Sequence, residues 1–381
     1  MIEQKHSLPL NVLFISRHHP PIQTGGSRRS ENLVAGLRSL GAKVTIISPE
    51  IHENDPAQVT IFHPQAEPAA EVNRKVLSKK TIFRDIIRRH TFLPDPDIRW
   101  AHRVLKHLKT LDLSAFDVVF TSSPPESIHK VGYKLAKQHK LKWVADFRDL
   151  WLEDPLVEAR KNPIRKWVET QLAIRWLKCA DATICVNSVI ASEIEQLSQK
   201  PARVVEPHAV LKAAPKALDP SIFHVGHTGS FNLSDPNRKI EDLLEFLSRL
   251  VDLCPQSHLH VAGRLLPEEI ETVKASPLSN KITVYGLLSP TETQSLQLSM
   301  SALILVLSPQ SRAIPGKYYE YMACNKPIYG IGGQPEIQQK LNLVPTLKDL
   351  LDSNAMRPDT DLEAGVKKMR ESLQKTLNEL F

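Results

Sequence analysis

Short apolar runs recur along the chain and alternate with segments of helical spacing. Runs at 11–16, 43–48, 117–120, 143–147, 182–186, 224–228, 258–262, 282–286, 302–307 and 328–331 read as strands. Several are nearly continuous in Val, Ile, Leu and Phe, which marks strands buried on both faces of a parallel sheet. Between them, Leu33, Val34, Leu37 and Leu40 fall on one helical face, as do Ile128, Val131 and Leu135, and Leu243, Leu244, Leu247 and Val251. Gly41 stops the first of these helices, and Asn162 followed by Pro163 opens another over 162–178. The spacing also predicts helices over 188–197, 316–324 and 361–380. Strand and helix in alternation make βαβ units and an α/β fold. Residues 211–220 hold two prolines and no period, as a linker would. The expected division is 1–210, 211–360 and a closing helix in 361–381.

A chain of 381 residues has room for two substantial cores. With 41% hydrophobic and 24% charged residues it has the composition of an ordinary globular protein. No apolar run is long enough to span a bilayer, and residues 1–10 lack the apolar core of a signal peptide. The four cysteines form neither a metal-type pair nor a disulfide ladder, so a reducing, cytoplasmic setting is expected. A net charge of +7 fits an anionic partner: a nucleotide diphosphate, an anionic membrane surface or nucleic acid. The excess is concentrated in 74–109, with eleven Lys or Arg against three Asp, beside an apolar strip of Ile82, Phe83, Ile86 and Ile87. Such a segment can lie on an anionic membrane as a peripheral anchor, or be a packed helix with a solvated basic face. No basic motif interleaved with aromatics supports nucleic acid.

Candidate chemistry clusters where strands end. The loop 17–27 closes on Gly25 and Gly26, where a ligand can approach the backbone at a helix start. Gly-x-Gly-x-x-Gly is absent, so the dinucleotide fingerprint is not met. Asp146, Arg148 and Asp149 end one strand, which makes either a polar site or an internal Asp–Arg pair. His129 follows Ser122-Ser123-Pro124-Pro125. In the second half, Thr228-Gly229 ends a strand, with Arg238 and Lys239 ahead of the next helix and suited to a diphosphate. His258 and His260 share one strand face without a metal-ligand pattern. Pro315 then stands at a helix start, where Gly316 and Lys317 offer free N–H groups and a cation to a phosphate. Glu320, one turn further in, can accept hydrogen bonds from ribose hydroxyls. A βαβ unit with a solvated Lys and Glu is the plain alternative.

Pro315, Lys317, Tyr318, Glu320, Tyr321, Ala323, Lys326, Pro327 and Ile328 resemble the donor-binding segment of family-4 glycosyltransferases of GT-B architecture. Ser-Ser-Pro-Pro with His129, and Asp146-Phe-Arg-Asp-x-Trp151, resemble cleft motifs of the same subset, in the same order. The resemblance runs through nearly the whole chain. It implies two Rossmann-like domains facing a cleft and a C-terminal helix returning to the first. It implies transfer of a sugar from a nucleotide diphosphate sugar to a glycan or lipid-linked acceptor, with retention of configuration and without metal or other cofactor. Glu320 would bind the ribose; Gly316, Lys317, Arg238 and Lys239 the diphosphate; Tyr285 and Gly286 the base. Gly25, Gly26, Gly229 and Arg264 would line the donor side, with Asp146 and, more weakly, His129 on the acceptor side. Many members carry a second glutamate eight residues before the first; here that position is Arg312. A nucleotide-sugar 2-epimerase-like isomerase and a catalytically impaired nucleotide-sugar binder are the alternatives.

Overall fold

The computed structural model describes residues 10–22, 25–50, 57–60, 92–154, 157, 162–208, 211–310, 314–352, 357 and 362–381. Half of the basic segment 74–109 (residues 74–91, with the strip Ile82–Ile87) and Arg312 therefore lie outside the described residues.

Seven strands form the first sheet: β1 (Asn11–Ser16), β2 (Lys43–Ser48), β3 (Gln58–Thr60), β4 (Val118–Ser123), β5 (Lys142–Phe147), β6 (Ala182–Cys185) and β7 (Ala202–Val204). Their order is β3-β2-β1-β4-β5-β6-β7, and every pairing is parallel. Alternate residues of β1 feed two separate cores. Leu13 and Ile15 pack with Val119, Trp143, Phe147 and Trp151 on one face. Val12 and Phe14 pack with Leu33, Leu37 and Phe120 on the other. Burial on both faces is why these strands read as continuous apolar runs.

The closing helix Leu362–Leu380 belongs to this unit from Val366 onward; the unit comprises 1–206 and 366–381, and 207–365 is the second. Met369, Leu373 and Leu377 pack into the core beneath the helix Gly25–Ser39. Gly36 sets the closeness of that packing, because a Cβ there would lie 2.8 Å from Leu373 Cδ1 and from Met369 Cε.

The second unit has β8 (Phe223–Thr228), β9 (Ser257–Ala262), β10 (Ile282–Gly286), β11 (Ala302–Leu307) and β12 (Ile328–Gly332), ordered β10-β9-β8-β11-β12 and all parallel. Val225, Val261, Ile304 and Val306 face the helix Ile240–Leu253. Leu303, Leu305 and Leu307 face Tyr318 and Tyr321 of the helix Gly316–Ala323. In each sheet the chain reverses its direction of growth beside its first strand, between β1 and β4 and between β8 and β11. Ligands of open α/β sheets bind outside the carboxyl ends of strands at such points. Among the described residues no helix is long and apolar enough to cross a membrane.

Candidate functional site

In the second unit, the reversal point gathers most of the expected donor residues. Gly316 opens its helix after Pro315, which provides no side-chain cap. The N–H groups of Gly316 and Lys317 precede the first helical carbonyls and have no intrahelical partner. Among the described residues, a Cβ added at Gly316 would meet nothing within 4 Å, so none of them fills the positive end of this helix. Lys317 Nζ donates to Glu320 Oε2 at 2.8 Å, one turn along. Gln297 Nε2 donates to the same oxygen at 3.3 Å and to Thr228 Oγ1 at 2.7 Å. Glu320 is therefore held by two side chains, and its side chain keeps 12% of its surface exposed.

Tyr321 ties that helix to the end of β8. Its hydroxyl accepts the Thr228 N–H at 2.8 Å. Burial, more than the hydrogen bonds from Thr228 offset, pushes the phenol pKa up, so the hydroxyl stays neutral. Gly229 follows Thr228 directly. Gly263, at the end of β9, lies against it: a Cβ on Gly263 would sit 2.0 Å from the Gly229 carbonyl oxygen. With φ +148 this position also favours glycine by conformation. Gly263 N–H in turn donates to the Gly286 carbonyl at 2.8 Å, which joins Gly229, Arg264, Tyr285 and Gly286 in one rim at the carboxyl ends of β8, β9 and β10. Tyr285 is 37% exposed, and its hydroxyl is 2.8 Å from His260 Nδ1.

Arg238 is partly covered, with Nε 4.0 Å from the buried Asp235 carboxylate. Burial alone would raise that carboxyl, but hydrogen bonds from Ser308 and Asn237 outweigh it and hold its pKa low. Ser308 follows β11, so Asp235 fastens the Arg238 loop to the strand end across the reversal point. Lys239 is exposed and begins the helix Ile240–Leu253.

His227 was not foreseen. Its Nδ1 meets the Ile304 carbonyl at 3.0 Å, which makes Nδ1 the donor and Nε2 a lone-pair acceptor. Nε2 is buried without a partner. Burial, then the charges of Lys317 and Arg238, push the ring down to about 4. Gln297 was also missed. It lies on the helix Pro290–Ser299, which has no apolar stripe to mark it.

In the first unit, Gly25 and Gly26 open the helix at the β1–β4 reversal point. A Cβ on Gly26 would overlap the Arg148 guanidinium, whose Nε and Nη2 donate to the carbonyls of Ser123 and Pro124 at 2.7 and 3.1 Å. Asp146 ends β5 as expected, but it is fully buried. Arg29 donates to its Oδ1 from Nε at 3.0 Å and from Nη2 at 2.5 Å, and Ser122 Oγ donates to Oδ2 at 2.7 Å. Asp146 is thus in an internal Asp–Arg pair, with the distant Arg29 rather than the neighbouring Arg148, and both its oxygens are engaged rather than open to an acceptor. His129 is corrected more fully. It is 0% exposed and its ring packs 4.3 Å from Phe147, between Trp143 and Trp151. Its Nδ1 shares Thr121 Oγ1 with Trp143 Nε1. Burial pushes the ring down to about 3. The helix carrying it starts after a tight turn at Glu126–Ile128, which rotates His129 inward.

The histidines of the second sheet form a chain. Tyr285 hydroxyl, His260, His224 and the Asp219 carbonyl are linked at 2.8, 2.9 and 3.0 Å. Among the described residues no group of three or more His, Cys, Asp and Glu is placed to hold a metal ion.

Residues 24–207 match the glycosyl transferase 4-like domain. No curated protein matches the chain by sequence. Solved structures are similar throughout its length. One is the apo form of the lipopolysaccharide outer core galactosyltransferase WaaB, at 12% identity and TM-score 0.52, covering 98% of this chain and 100% of that one. A second is TarM of S. aureus in complex with fondaparinux, α-GlcNAc-glycerol and UDP, at 11% identity and TM-score 0.55, covering 97% and 98%. A third is a putative UDP-N-acetylglucosamine 2-epimerase from Listeria monocytogenes, at 12% identity and TM-score 0.57, covering 98% of each. Residues 24–207 thus match a glycosyl transferase 4-like domain, and the chain as a whole takes the GT-B fold of the glycosyltransferases among these structures.

Proposed function

We propose that the protein transfers a sugar from a nucleotide diphosphate sugar to a glycan or lipid-linked acceptor, with the second unit holding the donor. The observation that carries this reading is the helix start at Gly316, with Lys317 and the twice-supported Glu320 beside it at the reversal point of the sheet. The Gly316 and Lys317 N–H groups, the helix dipole and the Lys317 and Arg238 cations would receive the diphosphate. They would also stabilise the negative charge that builds on it as the glycosidic bond breaks, which is the main catalytic term in this reading. Glu320 would accept the ribose hydroxyls, and Tyr285 and Gly286 would border the base. The UDP bound in the S. aureus relative supports a uridine donor as the first to try. In this reading the reaction proceeds with retention and without a metal.

Calorimetry with uridine and guanosine diphosphates tests the donor half. Micromolar binding is expected, and Glu320→Ala should weaken it by about 1–3 kcal/mol. No binding of either, or equal binding by the variant, would overturn the assignment. Mass spectrometry after incubation with a nucleotide-sugar panel and a lipid extract tests the reaction. A glycosylated acceptor supports transfer; an epimerised nucleotide sugar formed without acceptor rejects it.

A further inference from the structure

Two neighbouring helices of the first unit, Ile98–Leu108 and His129–His139, contain no Asp or Glu. The first buries Ile98, Trp100, Ala101, Val104 and Leu108, so Arg99, His102, Arg103 and Lys106 face outward, with Lys109 directly after. The second adds Lys130, Lys134 and Lys137. Lys130 Nζ donates a hydrogen bond to His102 Nε2 at 2.7 Å, across the two helices. Burial, then the Lys134 charge, lower the Lys130 pKa, and burial, then Lys130, lower that of His102. A basic surface to which neither helix contributes an acid is complementary to an external polyanion.

A third helix, Pro163–Leu177, packs beside the second. Arg175 Nε donates to Tyr133 Oη at 3.2 Å, and Lys137 Nζ lies 5.8 Å from the same ring centroid. Arg175 shares a stripe with Ile164, Trp167 and Gln171, at spacings of i, i+3, i+7 and i+11. The apolar end of that stripe is bare: Ile164 is 74% and Trp167 65% exposed. Glu169 points inward, paired with Arg165 at 2.6 Å. The exposed Arg175, resting on the buried Tyr133, therefore links the basic surface to the stripe that carries the apolar pair.

We propose that this three-helix face docks on an anionic lipid bilayer, the cations over lipid phosphates and Ile164 with Trp167 inserted at the headgroup–acyl boundary. A zone of Lys and Arg bordering a tryptophan and an aliphatic side chain matches the two layers of a membrane interface. A single-stranded nucleic acid would instead call for aromatics interleaved among the cations. The proposal stands apart from the donor site, since these residues belong to the first unit and the donor candidates to the second.

Trp167 provides its own reporter, because the other four tryptophans, Trp100, Trp143, Trp151 and Trp176, are buried. The full chain is mixed with vesicles of phosphatidylcholine alone or with added phosphatidylglycerol, at low and high salt. Binding is expected only with phosphatidylglycerol, fading with salt, with a blue shift of tryptophan emission. The K130Q/K134Q/K137Q variant should bind about a hundredfold more weakly, since each cation at such a surface contributes roughly fivefold. W167F should bind but lose the emission shift, and I164S/W167S should lose binding although both positions are exposed and the fold is unaffected. Equal, negligible binding to both vesicles would overturn the proposal. So would vesicle binding that neither set of substitutions alters, or binding of single-stranded RNA without binding of vesicles.

Discussion

Arg29 and Asp146, separated by 117 positions, form a forked ion pair in the interior of the first unit, at 3.0 and 2.5 Å from one carboxylate oxygen. Arg29 Nη1 also donates to the Val205 carbonyl, so one guanidinium fastens the helix after β1, the end of β5 and the segment after β7. Asp146→Asn leaves that guanidinium buried without a counter-charge. The expected loss is about 3–5 kcal/mol of unfolding free energy, read by chemical denaturation. Replacing both partners, Arg29→Met with Asp146→Leu, should recover most of it. A single-variant loss below about 1 kcal/mol would show that solvent reaches the pair.

Gly26 and Arg148 are coupled by space. A Cβ on Gly26 would lie 1.5 Å from Arg148 Nη1, so Gly26→Ala must drive the guanidinium off the Ser123 and Pro124 carbonyls. A cost of about 1.5–3 kcal/mol per hydrogen bond to a charged group is expected. If the clash is the cause, Gly26→Ala in an Arg148→Ala background should cost far less, and a double-mutant cycle on the melting temperature measures the difference. Additive losses would place the effect elsewhere.

Much of this architecture is legible in the sequence for a physical reason. Strands buried on both faces, such as Ala302–Leu307, leave continuous apolar runs, and Gly41 and Asn162 punctuate helices by known local chemistry. The three-residue edge strands β3 and β7 left no such trace, since Gln58, Thr60 and Arg203 carry no period. The helix Pro290–Ser299 buries Gln294, Ser295 and Gln297, so its inner face is polar and its stripe invisible. The grouping of Gly229, Gly286, Gly316 and Lys317 at strand and helix ends was legible because helix starts and glycine turns announce backbone geometry. Asp146 and His129 were placed at the right ends of their elements, but whether a polar side chain faces a ligand or a core depends on partners distant in the chain. Arg29 settles it for Asp146, and Trp143, Phe147 and Trp151 settle it for His129.

His129 makes the first unit sensitive to acid. Burial holds its folded-state pKa at about 3 against an ordinary value of 6.5. Below 6.5 the unfolded chain takes up a proton that the folded ring refuses, so stability falls as pH drops from about 6.5 toward 3. At pH 5 the loss from this group alone is on the order of 2 kcal/mol. His129→Phe keeps an aromatic ring among Phe147 and the tryptophans and removes the titration. Its stability should therefore fall less between pH 7 and pH 5 than that of the parent. Parallel pH profiles for both proteins, or a His129 ring that titrates near 6.5 by NMR, would contradict the buried neutral state.

Tyr321 offers the sharpest separation of scaffold from ligand contact in the second unit. Its hydroxyl sits at the junction of two chains of hydrogen bonds. One runs to the Thr228 N–H ahead of Gly229; the other passes through Thr228 Oγ1 and Gln297 to Glu320. Tyr321→Phe preserves the ring in the core and leaves the Thr228 N–H buried without its acceptor, at a cost of about 1–3 kcal/mol. Tyr321 itself is fully buried and can touch no ligand. Any loss of nucleoside diphosphate affinity must then come from loosening of the Gly229 turn or of Gln297 and Glu320. The expected pattern is a lower melting temperature together with a modest, severalfold rise in the dissociation constant for uridine diphosphate. In Glu320→Ala, affinity should fall with little change in melting temperature. Calorimetry and thermal denaturation on the two variants distinguish these patterns. If Tyr321→Phe destabilised the unit yet left affinity unchanged, the Thr228–Gln297–Glu320 network would be a feature of the core alone.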